Sequence, residues 1–190
     1  MKLVDLKIHG TAQSGDDANQ LLVILKEVNG ERILPIQTTG KRAMLLMARN
    51  AISIPMYVPL TLVDIWFLMF DRMHLKVDRV EISSVDNGTC YANVVGVKDG
   101  EEVKIEYCQA ADGLIVANTF KCRICIDEEL LQAQYLRKVG ENAYALNLSI
   151  ASRAMLENAL KQAIDSENYE AASKLKAELD KRKPVDDLPF

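Results

Sequence analysis

Hydrophobic and polar positions alternate at the start of the chain. Leu3, Leu6 and Ile8 stand against Lys2, Asp5 and Lys7, which predicts a strand over Lys2–His9 with one slip. A polar loop, Gly10–Asn19, leads to a second strand over Leu21–Val28. Asn29-Gly30 predicts a two-residue type I′ hairpin turn, because both central positions of that turn need φ > 0. Arg32–Ile36 is then the returning strand. Over Gly40–Ala51 the period becomes helical, with Ala43, Leu46, Met47 and Ala51 along one face. A second helix begins at Pro59-Leu60-Thr61. Proline suits the first turn, and Thr61 with Asp64 has capping-box spacing. This helix runs to about His74 and is apolar on almost every side. It should be buried on both faces, or partly by another subunit.

A second β block follows. Val77–Ser83 and Thr89–Val97 are strands around the turn Asp86-Asn87-Gly88, and Asp99-Gly100 turns the chain into a third strand over Glu102–Tyr107. Ala110–Asn118 reads as a short helix, Arg123–Ile126 as a short strand and Glu128–Arg137 as a helix. The β signals stop after Gly140. Leu156, Ala159, Leu160, Ala163 and Ile164 recur at helical spacing, Asp165–Asn168 is a polar break, and Tyr169, Ala172, Leu175 and Leu179 form a second stripe. Glu167 and Glu170 fall where a helix start favours negative charge. Lys181-Arg182-Lys183 falls where a helix end favours positive charge, and Pro184 stops the helix. The fold class is therefore α+β: a mixed, largely antiparallel sheet with packed helices, followed by a C-terminal two-helix hairpin. The divisions are a domain over 1–140, a linker over 141–150, the hairpin over 151–183 and a tail over 184–190.

Composition narrows the function classes. The chain has 190 residues, 49% of them hydrophobic and 26% charged, enough for a core without disulfides or metals. A net charge of -4 argues against a broadly basic nucleic-acid binder. Two histidines are too few for a multi-histidine metal site. The most apolar run, Ile65–Phe70, is far short of the roughly 20 residues that cross a bilayer. With four cysteines and no leader-like start, the expected compartment is the reducing cytoplasm, with no membrane partner.

Candidate chemistry is sparse. Cys122 and Cys125 form C-x-x-C, but on a strand residues three apart point to opposite faces, so the pair reads as structural. Asp64 reads as the partner of Thr61 in the capping box. Asp112 opens a helix beside the end of a strand, where it serves as a cap or as the best single candidate for chemistry. Glu106 and Asp112 are the carboxylates that might share a metal, yet no cluster of the kind a two-metal nuclease uses is visible. Lys41-Arg42 and Lys181-Arg182-Lys183 read as solvated helix ends.

Two runs carry resemblances. The first comprises Arg32-Ile33-Leu34-Pro35-Ile36, Pro59-Leu60-Thr61, Val77-Asp78-Arg79-Val80-Glu81-Ile82, Asp86-Asn87-Gly88-Thr89-Cys90-Tyr91-Ala92 and Asp112-Gly113-Leu114-Ile115-Val116-Ala117. In order and spacing it resembles the bifunctional nuclease domain family. The resemblance implies an α+β fold, homo-oligomers, and DNA or RNA hydrolysis with a divalent metal, Mg²⁺ or Mn²⁺. Asp112 would be catalytic, with Thr61, Asp64, Glu106, Gln109 and Arg42 as pocket candidates. The chain departs from the family at polar positions. The family's glutamate after Leu-Pro-Ile is here Arg42, its Thr-His-Asp is Thr61-Leu62-Val63, and its Arg-Pro-Ser-Asp is Gln109-Ala110-Ala111-Asp112.

The second run, Ala163-Ile164-Asp165-Ser166-Glu167-Asn168-Tyr169-Glu170-Ala171-Ala172 with Leu175, resembles the UVR motif of the UvrB and UvrC repair proteins. That resemblance implies protein–protein contact through Leu156, Leu160, Tyr169, Leu175 and Leu179. Two functions follow as expectations. One is a metal-dependent nuclease. The other is a non-catalytic oligomeric interaction or regulatory module whose hairpin binds a protein partner. Nucleic acid is a partner that the net charge does not favour.

Overall fold

The computed structural model describes residues 2–13, 20–50, 62–138, 144–145 and 147–182. Seven strands form one sheet: β1 (Leu3–Gln13), β2 (Gln20–Glu27), β3 (Ile33–Thr39), β4 (Lys76–Asp86), β5 (Thr89–Lys98), β6 (Glu101–Gln109) and β7 (Arg123–Asp127). Their spatial order is β3-β2-β1-β7-β4-β5-β6. The sheet is thus two antiparallel meanders joined by β7, which runs antiparallel to β1 and parallel to β4. This is the mixed, largely antiparallel α+β architecture that the patterning predicts.

The hairpin turns divide by mechanism. Asn87 and Gly88 (φ 49° and 80°) and Asp99 and Gly100 (φ 53° and 87°) occupy the left-handed region, as tight turns between β4, β5 and β6 demand. The expected type I′ turn at Asn29-Gly30 does not form. Neither residue has positive φ among the described residues, and the chain takes five residues to pass from Glu27 to Ile33. The Glu27 carboxylate folds across this loop, accepting from the Arg32 backbone N–H at 2.9 Å and from Arg32 Nη2 at 2.7 Å. A Cβ on Gly30 would meet that carboxylate, so a larger residue there would push the Glu27 side chain out of its place.

One sheet face carries the core. Leu6, Val23, Leu25, Leu34, Ile36, Val80, Ile82, Ala92, Ile124 and Ile126 pack there with α1 (Gly40–Asn50) and α3 (Ala110–Phe120), through Leu46, Leu114 and Ile115. Gly113 lets α3 lie close on the sheet, since a Cβ would stand 3.0 Å from Val80. Residues that alternate with the core positions carry charge. Arg79 binds Glu81 at 2.7 Å and Asp78 and Glu102 at 3.0 Å, and Arg123 binds Asp5 at 2.7 Å.

α2 (Leu62–Arg72) is not buried on both faces within the chain, the first of the two alternatives its pattern offered. Phe67 and Phe70 pack on Phe120 of α3, at ring-centroid distances of 5.2 and 5.6 Å, while Leu62, Ile65, Trp66, Leu68 and Met69 remain exposed. Its start at Thr61 lies outside the described residues. α4 (Glu128–Gln134) is shorter than the predicted Glu128–Arg137. Asp127 caps it, accepting from Glu129 N–H. It stops because the Leu136 N–H leaves for the carbonyl of Ile33 at the head of β3. Arg137–Lys138 then pairs as β8 with β9 (Tyr144–Ala145).

The C-terminal hairpin comprises α5 (Arg153–Asp165) and α6 (Tyr169–Lys181), capped by Ser152 and Asn168, with the polar break between them as predicted. Leu156, Ala163, Ala172, Leu175 and Leu179 bury one another. The hairpin also touches the sheet domain. Ile150 belongs to the main core, and Gln37 Nε2 donates to its carbonyl at 2.7 Å. Arg182, predicted to be a solvated helix end, is instead only 7% exposed. It donates to the carbonyls of Ala151 and Leu148, each at 2.5 Å.

Candidate functional site

A cleft of about 250 Å³ opens where β3 ends, α3 begins and α5 is capped. Three features of local sequence build it. The apolar strand Ile33–Ile36 gives way to Gln37-Thr38-Thr39, so one edge of the cleft is polar. α1 follows at once and brings Arg42 to the rim on its first turn. Gln109 ends β6, and Ala111 lies in the first turn of α3, beside Thr89 and Cys90 of β5. Ser152 from the hairpin completes the lining.

Arg42 and Asp112 form the central contact. Arg42 Nε donates to Asp112 Oδ1 at 2.7 Å, and Nη2 donates to Oδ2 at 2.9 Å. This is a bidentate pair, with both carboxylate oxygens taken by one guanidinium. It corrects two expectations. Arg42 is not a solvated helix end, and Asp112 does not cap α3. Gln109 holds the cap position and makes no side-chain cap bond, while Asp112 is the third residue of the helix, within its first turn.

The other candidates are dispersed. Gln109 lines the cleft. Glu106 is exposed on the edge strand β6 and pairs with Lys104 at 3.1 Å. Thr61 lies outside the described residues. Asp64 lies within α2, and its side chain is outside them. In the hairpin, Leu156, Leu175 and Leu179 are buried, Leu160 is partly buried and Tyr169 is 69% exposed. Sequence reasoning missed Gln37, Thr38, Thr39, Thr89, Cys90 and Ser152. The one signal for them was the abrupt polar end of a hydrophobic strand just before a helix.

The four cysteines are free thiols whose surroundings favour the protonated form. Burial pushes the Cys90 thiol up to about 12, and the Cys122 and Cys125 thiols up to about 11. Such thiols stay protonated at neutral pH. A divalent metal also fits these residues poorly. Among the described residues no three His, Cys, Asp or Glu side chains converge, and Asp112 already gives both oxygens to Arg42.

Fold and cleft together define an open-sheet α+β domain with a polar recess at the start of a helix. Residues 23–138, more than half of the chain, match the bifunctional nuclease domain family. The chain belongs to that family. No curated protein matches it. The family segment contains every lining residue of the cleft named above except Ser152, while β1, α5 and α6 lie outside it. Among the described residues no helix is long and apolar enough to cross a membrane.

Proposed function

We propose that this chain is a non-hydrolytic member of the bifunctional nuclease domain family, working as a binding and interaction module. The observation that carries the reading is the Arg42–Asp112 pair. Phosphodiester hydrolysis needs an activated water, stabilisation of developing negative charge and usually a metal. Both Asp112 oxygens already accept a charge-assisted hydrogen bond, and the guanidinium that donates them repels a second cation at the same carboxylate. The family resemblance places a glutamate where Arg42 stands. A glutamate facing Asp112 would make a paired-carboxylate site, and arginine cancels it.

The interaction side of the proposal has two parts. On one side of α2, exposed Ile65, Leu68 and Met69, with Met73 beyond the helix, line a shared apolar groove. We assign a second copy of the chain to this face. The α5–α6 hairpin, by its UVR resemblance, is the surface for a protein partner. With most of its stripe buried internally, Tyr169 and Ile164 are what it still presents.

The test is cleavage of labelled single- and double-stranded DNA and RNA by the full chain in Mg²⁺, Mn²⁺ or EDTA, beside Asp112→Asn. The expected result is no metal-dependent cleavage. Cleavage that disappears in Asp112→Asn would overturn the proposal and place hydrolysis at this carboxylate, as family membership would suggest.

A further inference from the structure

We infer that the α5–α6 hairpin is a hinged cover over the cleft: it swings about the Ile150–Ala151 junction and is latched shut by Arg182. The inference goes beyond the proposed function and holds whether or not the chain hydrolyses nucleic acid.

The cleft lies on a seam. The sheet curls until β3 touches β5, although β2, β1, β7 and β4 lie between them in strand order. The start of the hairpin sits over this seam and touches both sides. On the β3 side Gln37, a lining residue, donates to the Ile150 carbonyl at 2.7 Å and to Met155 Sδ at 3.7 Å. On the β5 side Gly88, next to the lining residue Thr89, packs so closely that a Cβ there would collide with the Ala151 carbonyl. Ser152 forms part of the lining itself. The family match ends at residue 138, so this wall of the cleft comes from outside the family segment.

The hinge falls where the packing changes. Residues 147–150 are held by the sheet domain. Asn147 Nδ2 donates to the Ala133 carbonyl at 2.5 Å, Ser149 Oγ donates to Gln134 Oε1 at 2.7 Å, and Ile150 lies in the main core. Ala151 packs instead with Leu156, Ala163, Ala172, Leu175 and Leu179, in a second core that α5 and α6 build between themselves. A helix pair with its own core can open as one unit. Its hold on β3 through Met155 is weak, because a thioether is a poor acceptor.

Arg182 supplies the latch. Its guanidinium straddles the hinge. Nη1 donates to the Ala151 carbonyl on the hairpin side and Nη2 to the Leu148 carbonyl on the domain side, each at 2.5 Å. Arg182 follows directly on α6, so it ties the far end of the hairpin to the hinge. Swinging the hairpin out breaks the Leu148 bond and leaves the second core intact. A protein partner that holds the hairpin in the open position therefore opens the cleft. By reciprocity, an occupant of the open cleft strengthens the hold of that partner.

The experiment is alkylation of the full chain by N-ethylmaleimide, mapped by mass spectrometry, at urea concentrations below and through the unfolding transition. Cys90 lines the cleft and is 4% exposed, whereas Cys125, 0% exposed in β7, is not part of the lining. Opening the hairpin bares little surface. Cys90 should therefore react well below the transition with a weak dependence on urea, while Cys125 should follow the transition itself. Arg182→Met keeps an apolar stem and removes the latch. Without urea it should speed Cys90 alkylation roughly ten-fold, as expected for one lost charge-assisted bond. A Cys90 that shares the urea dependence of Cys125 overturns the inference, because only unfolding then reaches the cleft. An unchanged Cys90 rate in folded Arg182→Met overturns it too. Should Arg182→Met not fold, the wild-type urea series decides alone.

Discussion

Arg32 lies between two carboxylates, Glu27 at 2.7 Å and Glu128 at 2.6 Å, and ties the β2–β3 loop to α4 across 96 residues of sequence. Its hydrogen bonds hold both carboxyls below their usual value. A carboxyl lowered in the folded state adds stability that is present above its unfolded value, near 4.5, and lost as pH falls through the folded value. Arg32→Gln should therefore destabilise more at pH 7 than at pH 3, as urea denaturation at the two pH values would show. Arg182 works through geometry. Its guanidinium spans the Ala151 and Leu148 carbonyls and reaches Glu178 at 3.3 Å. Lysine cannot reproduce that fork. Arg182→Lys should cost about 2 kcal/mol, and Arg182→Met about 3 kcal/mol, in denaturant unfolding.

Among the elements, the turns show how much the sequence alone could say. Asn87-Gly88 and Asp99-Gly100 were legible, because their strands abut the turn and only φ > 0 closes it. Asn29-Gly30 has the same letters, but Glu27 and Arg32 bind across the loop and lengthen it. A local dipeptide carries no record of that side-chain contact. The helices were legible by period, and so was the hairpin break at Asp165–Asn168. In the site, Asp112, Arg42 and Gln109 were named through the family resemblance. Their arrangement was not, since the bond from Arg42 to Asp112 joins residues 70 apart. Two glycines separate turn chemistry from docking. A Cβ on Gly100 would meet nothing within 4 Å, whereas one on Gly88 would collide with the Ala151 carbonyl and stand 2.9 Å from Arg182 Nη1. Gly100→Ala should cost about 1 kcal/mol through φ alone. Gly88→Ala should cost about 1 kcal/mol more, with faster proteolysis between residues 147 and 153 as the second readout.

For the whole molecule, the exposed side of α2 is the feature a monomer would least tolerate. Trp66 is 47% exposed, Leu68 50% and Met69 51%. Scattered apolar residues on a surface are ordinary, but Ile65, Leu68, Met69 and Met73 line one groove at helical spacing, the kind of patch a second copy could cover. Light scattering should find the wild-type chain as a dimer at micromolar concentration, and Leu68→Glu should shift it to the monomer without loss of helix content. A wild-type monomer would remove the second copy from the proposed function.

β7 has a consequence for how the molecule is made. It alone joins the β1–β3 meander to the β4–β6 meander, and it lies more than a hundred residues after β1. Each meander is built from neighbours in sequence and can pair as it leaves the ribosome. The inner edges of β1 and β4 then wait, unpaired, until Arg123–Asp127 has been synthesised and inserted between them. The sheet is therefore completed late. Until then the nascent chain carries two open strand edges, and Ile124 and Ile126, which later fill the core, control how quickly both are covered.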